Sequence, residues 1–115
     1  MGYRSEVAIA LAEPAATLVR TLCEHDKNLR VFIRDDSDEL IGFDSSQDSF
    51  DVLKVYWSYI KWYEGYLDVN TMETILSNID EDDYLFIRIG EDTSDIEERG
   101  GFYDSDMYIS RAISL

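Results

Sequence analysis

Cys23 and His25 are the only thiol and the only imidazole in this sequence of 115 residues, so a Cys/His catalytic pair or a thiolate metal site would have to be built on them. Two positions apart, they fall on different faces if the segment is helical, and a Cys/His pair then forms only if the helix ends there. A single cysteine closes no internal disulfide and offers a metal one thiolate. The six glycines never take the spacing of a phosphate-cradling loop, so no nucleotide cofactor is expected. The acidic segment from Asp36, DSDELIGFDSSQ, sets Asp36 and Asp38 at the first ligand positions of a calcium loop. It then puts Leu40 where a ligand belongs, Ile41 where the sharp turn needs glycine, and Gln47 where a bidentate glutamate closes the cage. Neither catalytic residues nor a metal or cofactor site is expected, and the chain reads as a non-enzyme that acts by binding.

The chemistry that does stand out is charge. Asp and Glu number 25 against 10 Lys and Arg, for a net charge of −15. The excess is lopsided: residues 1–34 hold five bases and four acids, whereas residues 35–115 hold five bases and 21 acids. Two of its runs are Asp80, Glu81, Asp82 and Asp83, and Glu91, Asp92, Asp95, Glu97 and Glu98. Nucleic acid is disfavoured as a ligand, because binding it relies on neutralising phosphates with Lys and Arg. A basic protein surface is the expected partner, drawn in by the field of the acids. The rival account holds that acidity serves only solubility and that the runs are solvated faces. It gives no reason for a near-neutral first third.

A second feature is the stretch YWSYIKWYEGY from Tyr56 to Tyr66, which holds both tryptophans and four of the eight tyrosines. On a strand, Tyr56, Ser58, Ile60 and Trp62 share one face, and Trp57, Tyr59, Lys61 and Tyr63 share the other. If helices cover one face only, Tyr56, Trp57, Tyr59, Trp62, Tyr63 and Tyr66 include candidate anchors for a partner. The alternative is that both faces are packed, or that the rings are half-buried with their polar ends wet. A base-stacking platform is disfavoured, since Lys54 and Lys61 are the only cations between Asp35 and Arg88 and such platforms need a positive groove. A protein, or a second copy of this chain, is the better occupant.

The elements that must carry these groups follow from hydrophobic period. Tyr3 to Leu11 alternates as a half-buried strand. Pro14 suits the first turn of a helix whose buried face is Ala15, Leu18, Val19, Leu22 and Cys23. Leu29 to Ile33 reads as a helix end or as a short strand. Residues 35–49 read as a long acidic loop around a short strand at Leu40–Phe43, and Phe50 to Tyr63 as a long central strand. Asp68 or Asn70 caps a second helix, with Glu73 completing a capping box after Asn70; its stripe is Val69, Met72, Ile75, Leu76 and Ile79. The acids 80–83 end it. Tyr84 to Gly90 alternates with Leu85, Ile87 and Ile89 inward, and Gly100-Gly101 turns the chain into a last strand from Tyr103 to Ile113 through Met107, Ile109 and Arg111. This order predicts one α+β domain over residues 1–115, a largely antiparallel sheet with two helices packed on one face. With 45% hydrophobic and 13% aromatic residues the chain supports one core. No apolar run approaches the roughly 20 residues of a membrane span, and no export signal opens the sequence. A reducing cytoplasm is the expected setting, with no membrane partner.

The strings Tyr3-Arg4-Ser5-Glu6-Val7-Ala8-Ile9-Ala10, Tyr59-Ile60-Lys61-Trp62-Tyr63 and Phe86-Ile87-Arg88-Ile89-Gly90-Glu91 with Ile96-Glu97-Glu98 resemble a group of small acidic proteins carried by bacteriophages and prophages. The likeness covers most of the chain. It implies a setting in the bacterial host cell. There, a protein of this size and charge acts on host machinery, immune nucleases such as CRISPR effectors included, by imitating DNA. It implies no functional residue. The expected function is engagement of a basic host protein surface, with homodimerisation through an aromatic sheet face as the alternative.

Overall fold

Continuous burial along one strand fixes the centre of the structure. Val7, Ala8, Ile9, Ala10 and Leu11 are all 0% exposed, which requires partners on both edges and cover on both faces. In the computed structural model, which describes residues 3–43, 52–63, 65–92, 94–102, 108–109 and 113–114, these residues belong to β1 (Ser5–Leu11). It is the middle strand of a five-stranded antiparallel sheet formed with β2 (Glu39–Ile41), β3 (Leu53–Ile60), β4 (Tyr84–Gly90) and β5 (Ile96–Gly100). The spatial order is β2-β3-β1-β4-β5. The expected α+β class holds, although the central strand is the opening segment and not the aromatic one. Phe50 and Asp51, expected at the start of β3, lie outside the described residues.

The helices are α1 (Ala15–His25), α2 (Lys27–Arg30), which runs on into a π turn at Val31–Asp35, and α3 (Leu67–Ser77). Leu29 to Ile33 is therefore helical, with Leu29, Phe32 and Ile33 all buried. Asp26 starts this segment by accepting the backbone N–H groups of Asn28 and Leu29, an N-cap in the usual sense. In α1 the buried stripe is Ala15, Ala16, Val19 and Cys23. Leu18, expected inside, is 46% exposed, because a stripe centred on Ala16, Val19 and Cys23 leaves it at the margin. The expected cap of the later helix is also corrected. The helix begins at Leu67, before either candidate, with Tyr66 at its N-cap and no side chain accepting there. Asn70 and Glu73 are thus interior, and Glu73 turns to Arg99 instead, 2.6 Å away. Burial of Val69 and Met72 draws the first turn into helix ahead of the polar residues.

One core unites Val7, Ile9 and Leu11 of β1 with Leu53, Val55 and Trp57 of β3, Tyr84 and Phe86 of β4, and the buried residues of all three helices. A smaller cluster forms from Ala8, Ala10, Leu85, Ile87 and Ile89, with Tyr56 and Phe102 packed against it. Both sides of β4 are apolar, so the inward residues Leu85, Ile87 and Ile89 belong to the smaller cluster and the main core takes Tyr84 and Phe86. β6 (Tyr108–Ile109) and β7 (Ile113–Ser114) pair with each other as a separate antiparallel ribbon. The single last strand expected from Tyr103 to Ile113 is corrected to this pair, while Tyr103, Met107 and Arg111 lie outside the described residues. β7 comes close to β1. Among the described residues no helix is long and apolar enough to cross a membrane.

Candidate partner-binding surface

An extra residue in β3 decides where the aromatic side chains go. Val7 lies opposite Trp57 but Ser5 lies opposite Ile60, so two steps along β1 match three along β3, a β-bulge at Ser58 and Tyr59. On the other edge of β3, where β2 pairs, the Asp38 carboxylate accepts Ser58 N–H at 2.6 Å and Ser58 Oγ–H at 2.8 Å. These bonds hold the Asp38 carboxyl below the usual aspartate range, the backbone N–H first and the hydroxyl next. Beyond the bulge the alternation is inverted. Ile60 and Trp62 therefore pack against the same core as Trp57, where strict alternation had set Trp57 and Trp62 on opposite faces.

The rings divide accordingly. Trp57 is 1% exposed, stacked on Phe32 at 4.8 Å between centroids, and its indole donates to the Phe32 carbonyl at 3.1 Å. Trp62 is half-buried, 5.6 Å from Trp57 and 5.7 Å from Phe86. Its Nε1 is buried and has no hydrogen-bond partner among the described residues. Tyr56 is half-buried on the smaller cluster and donates to the Glu6 carboxylate. Burial first, and that carboxylate next, push its phenol up from the ordinary tyrosine value. Trp57 is thus a core residue and not a surface anchor. The rings that do reach the surface are Tyr59, 66% exposed, and Tyr66, 46% exposed, with half-buried Tyr63 edge-on to Tyr66 at 5.4 Å. The Arg4 guanidinium sits over Tyr59, 4.9 Å from its centroid.

The acids also divide. Asp80, Glu81 and Asp82 are exposed and Asp83 half-buried, in a 3-10 turn at Glu81–Asp83 that the Asp80 carboxylate caps by accepting Asp82 N–H. Gly101 N–H donates to Glu81 O at 2.7 Å, tying this turn to the end of β5. Glu91, Asp92 and Glu98 are exposed. The run from Glu91 to Glu98, which reads as solvated surface in sequence, contains β5 from Ile96 onward. Within it Asp95 and Glu97 are half-buried and paired, lying 2.9 and 3.2 Å from Arg88. Glu97 also meets Arg99 Nε at 2.9 Å, an ion pair without a hydrogen bond. Arg99 stacks on Phe86 at 4.2 Å and reaches Glu73 of α3, so this network clamps helix to sheet. Asp95 and Glu97 therefore serve the fold, whereas the other acids of these runs stay largely toward water.

The two acid groups flank opposite ends of β4, about 20 Å apart at the rise of a strand. Glu91 and Asp92 share their end with Tyr59, since Ser5 pairs with both Ile60 and Gly90 and Arg4 N–H donates to Glu91 at 2.8 Å. Three further aspartates, Asp36, Asp38 and Asp68, line a cleft beside Tyr59. Asp36 and Asp38 were visible only as part of a failed calcium loop and Asp68 only as a cap; their proximity to the rings is a tertiary fact with no signal in spacing. Gln47, the last position of that loop, lies outside the described residues. Among the described residues no group of three or more His, Cys, Asp or Glu gathers to hold a metal. Cys23 is buried, and burial pushes its thiol up to about 11, so it is protonated at neutral pH and a poor nucleophile. No protein-family model matches the chain, and no significant match is found among curated proteins or solved structures.

Proposed function

We propose that the protein acts by binding, engaging the basic surface of another protein in the manner of a DNA mimic, as the phage-type anti-defence reading implies. What supports this is the exposure of Asp80, Glu81, Asp82, Glu91, Asp92 and Glu98 on a body 36 Å long with a net charge of −15. Duplex DNA of that length carries about 20 phosphates, a comparable charge. In this reading the two long helices, α1 and α3, pack on one face of the sheet and make a rigid support. Association then follows the rules of charge: fast, steeply weakened by salt, and competed by DNA. Affinity capture from a bacterial lysate tests it directly. DNA-binding proteins should be retained at low salt and released both by duplex DNA and by about 0.5 M NaCl, where the Debye length is down to roughly 4 Å. Retained proteins that ignore DNA would refute the mimicry.

The alternative, a homodimer through an aromatic sheet face, meets a specific obstacle. Trp57 is core, and Ala8, Ala10, Leu85, Ile87 and Ile89 are at most 6% exposed within one chain, so neither side of the sheet centre is open. A second copy would have to dock on Tyr59, Tyr63 and Tyr66. Light scattering at high salt, which suppresses charge-driven association and leaves ring contacts intact, reports that dimer if it forms.

A further inference from the structure

Beside the β3 bulge lies a cleft of about 480 Å³ lined by Phe32, Trp57, Tyr59, Tyr66 and Val69 on its apolar side. Asp36, Asp38 and Asp68 supply its carboxylates and Arg4 and Lys61 its cations. We propose that this cleft takes one arginine side chain of the basic partner, a claim that rests on the binding function above and assigns it a specific contact.

Three observations carry it. First, the exposed rings of the cleft, Tyr59 and Tyr66, suit a flat, weakly hydrated cation, because guanidinium stacks on aromatic faces and ammonium is held more tightly by water. The chain already uses this chemistry at the same ring: Arg4 lies over Tyr59 at 4.9 Å. With that face covered Tyr59 is still 66% exposed, so the ring has surface left for a second guanidinium. Second, the charge balance of the lining is negative, three acids against two bases, inside a molecule of net charge −15. Asp38 is committed to Ser58, which leaves Asp36 and Asp68 as the carboxylates positioned to receive the fork of N–H donors. Third, Glu91 is tied to the same end of the sheet through Arg4, and Asp92 follows it, so a side chain entering here lies within the outer acid field that attracts the partner. An anion would find Lys61 and the uncapped start of α3, but it would also meet three aspartates and the field of the whole chain.

The test is calorimetric titration of the full chain with oligo-arginine and with oligo-lysine of equal length at low salt. Oligo-arginine should bind more tightly. Tyr59→Leu should weaken it about 3- to 30-fold, the range of one cation–π contact, Tyr59→Phe should retain it, and Asp68→Asn should weaken it in the same sense. Neutralising the far end with Glu81→Gln and Asp82→Asn should weaken both peptides alike. Tyr59 is exposed, so its replacements keep the fold, and circular dichroism checks this. As a second readout the Trp57 indole N–H resonance should shift on adding oligo-arginine. If Tyr59→Leu and Asp68→Asn bind oligo-arginine as the parent does, the cleft assignment fails and the acidic-surface function stands. If the parent binds neither peptide, that function fails and takes the cleft with it. A Trp57 shift produced by inorganic phosphate, and not by oligo-arginine, reassigns the cleft to anions.

Discussion

Asp95 illustrates how a carboxylate in an acidic chain can belong to the fold. It accepts from Arg88 Nη2 at 2.9 Å and from Tyr3 Oη at 2.8 Å, and Gly90 leaves room for the pair, since a Cβ there would come within 2.1 Å of Tyr3 Oη. The Arg88 hydrogen bonds, followed by that of Tyr3, hold its carboxyl below the ordinary aspartate value. A depressed folded-state pKa contributes stability that is fully present above the unfolded value, about 3.9 for aspartate, and is lost as pH falls through the folded value. Asp95→Asn should therefore lower the urea midpoint at neutral pH and flatten its decline below about pH 4. A variant whose midpoint falls with acid as steeply as the parent's would show that other carboxylates carry the acid limb. The same residue reads in sequence as one more solvated acid; only the register of β4 against β5, Arg88 facing Glu97, reveals the network.

Elements were legible where one period dominates. β1, α1, α3 and β4 each repeat apolar residues every second position or every third and fourth, and each forms close to its expected bounds. β5 was hidden because its Glu97, Glu98 and Arg99 pair with neighbours or face water, giving no apolar alternation to detect. The bulge in β3 was hidden for another reason. It leaves no mark in the hydrophobic pattern, and a single extra residue moves Trp62 from the expected opposite face onto the core that holds Trp57. The candidate anchors narrowed accordingly to Tyr59, Tyr63 and Tyr66. Gly100, by contrast, was readable as a turn residue, and its φ of +91° puts it where a side chain is strained. An added Cβ would also lie 2.1 Å from the Tyr84 carbonyl oxygen, at the point where β5 leaves β4. Gly100→Ala should cost about 1–3 kcal/mol, read as a lower denaturant midpoint with unchanged slope. An unaltered midpoint would mean that the β5 end relaxes freely and does not anchor the 3-10 turn of acids beside it.

At the scale of the whole molecule the charge acts on the fold as well as on any partner. Carboxylates outnumber bases by 15 within a radius of gyration of 13.2 Å. At 0.01 M salt the Debye length, about 30 Å, exceeds that radius, and at 0.1 M it falls to about 10 Å. Like charges at the two ends of β4 therefore repel through most of the molecule at low salt and only locally at higher salt. The ion pairs of Arg88 and Arg99 work in the opposite direction, since salt weakens exposed pairs, but they are few and half-buried. Repulsion should win. Raising NaCl across this range should raise the melting temperature by about 3–8 °C, the shift that roughly 1 kcal/mol produces in a domain of this size. Sodium sulfate at equal ionic strength separates screening from the general salting-in or salting-out of apolar surface, because screening depends on ionic strength alone and should give the same rise. A melting temperature that stays level or drops with NaCl would mean that repulsion among the acids is too weak to limit the fold. Acids spread that thinly would give only a weak local field with which to draw in a basic partner.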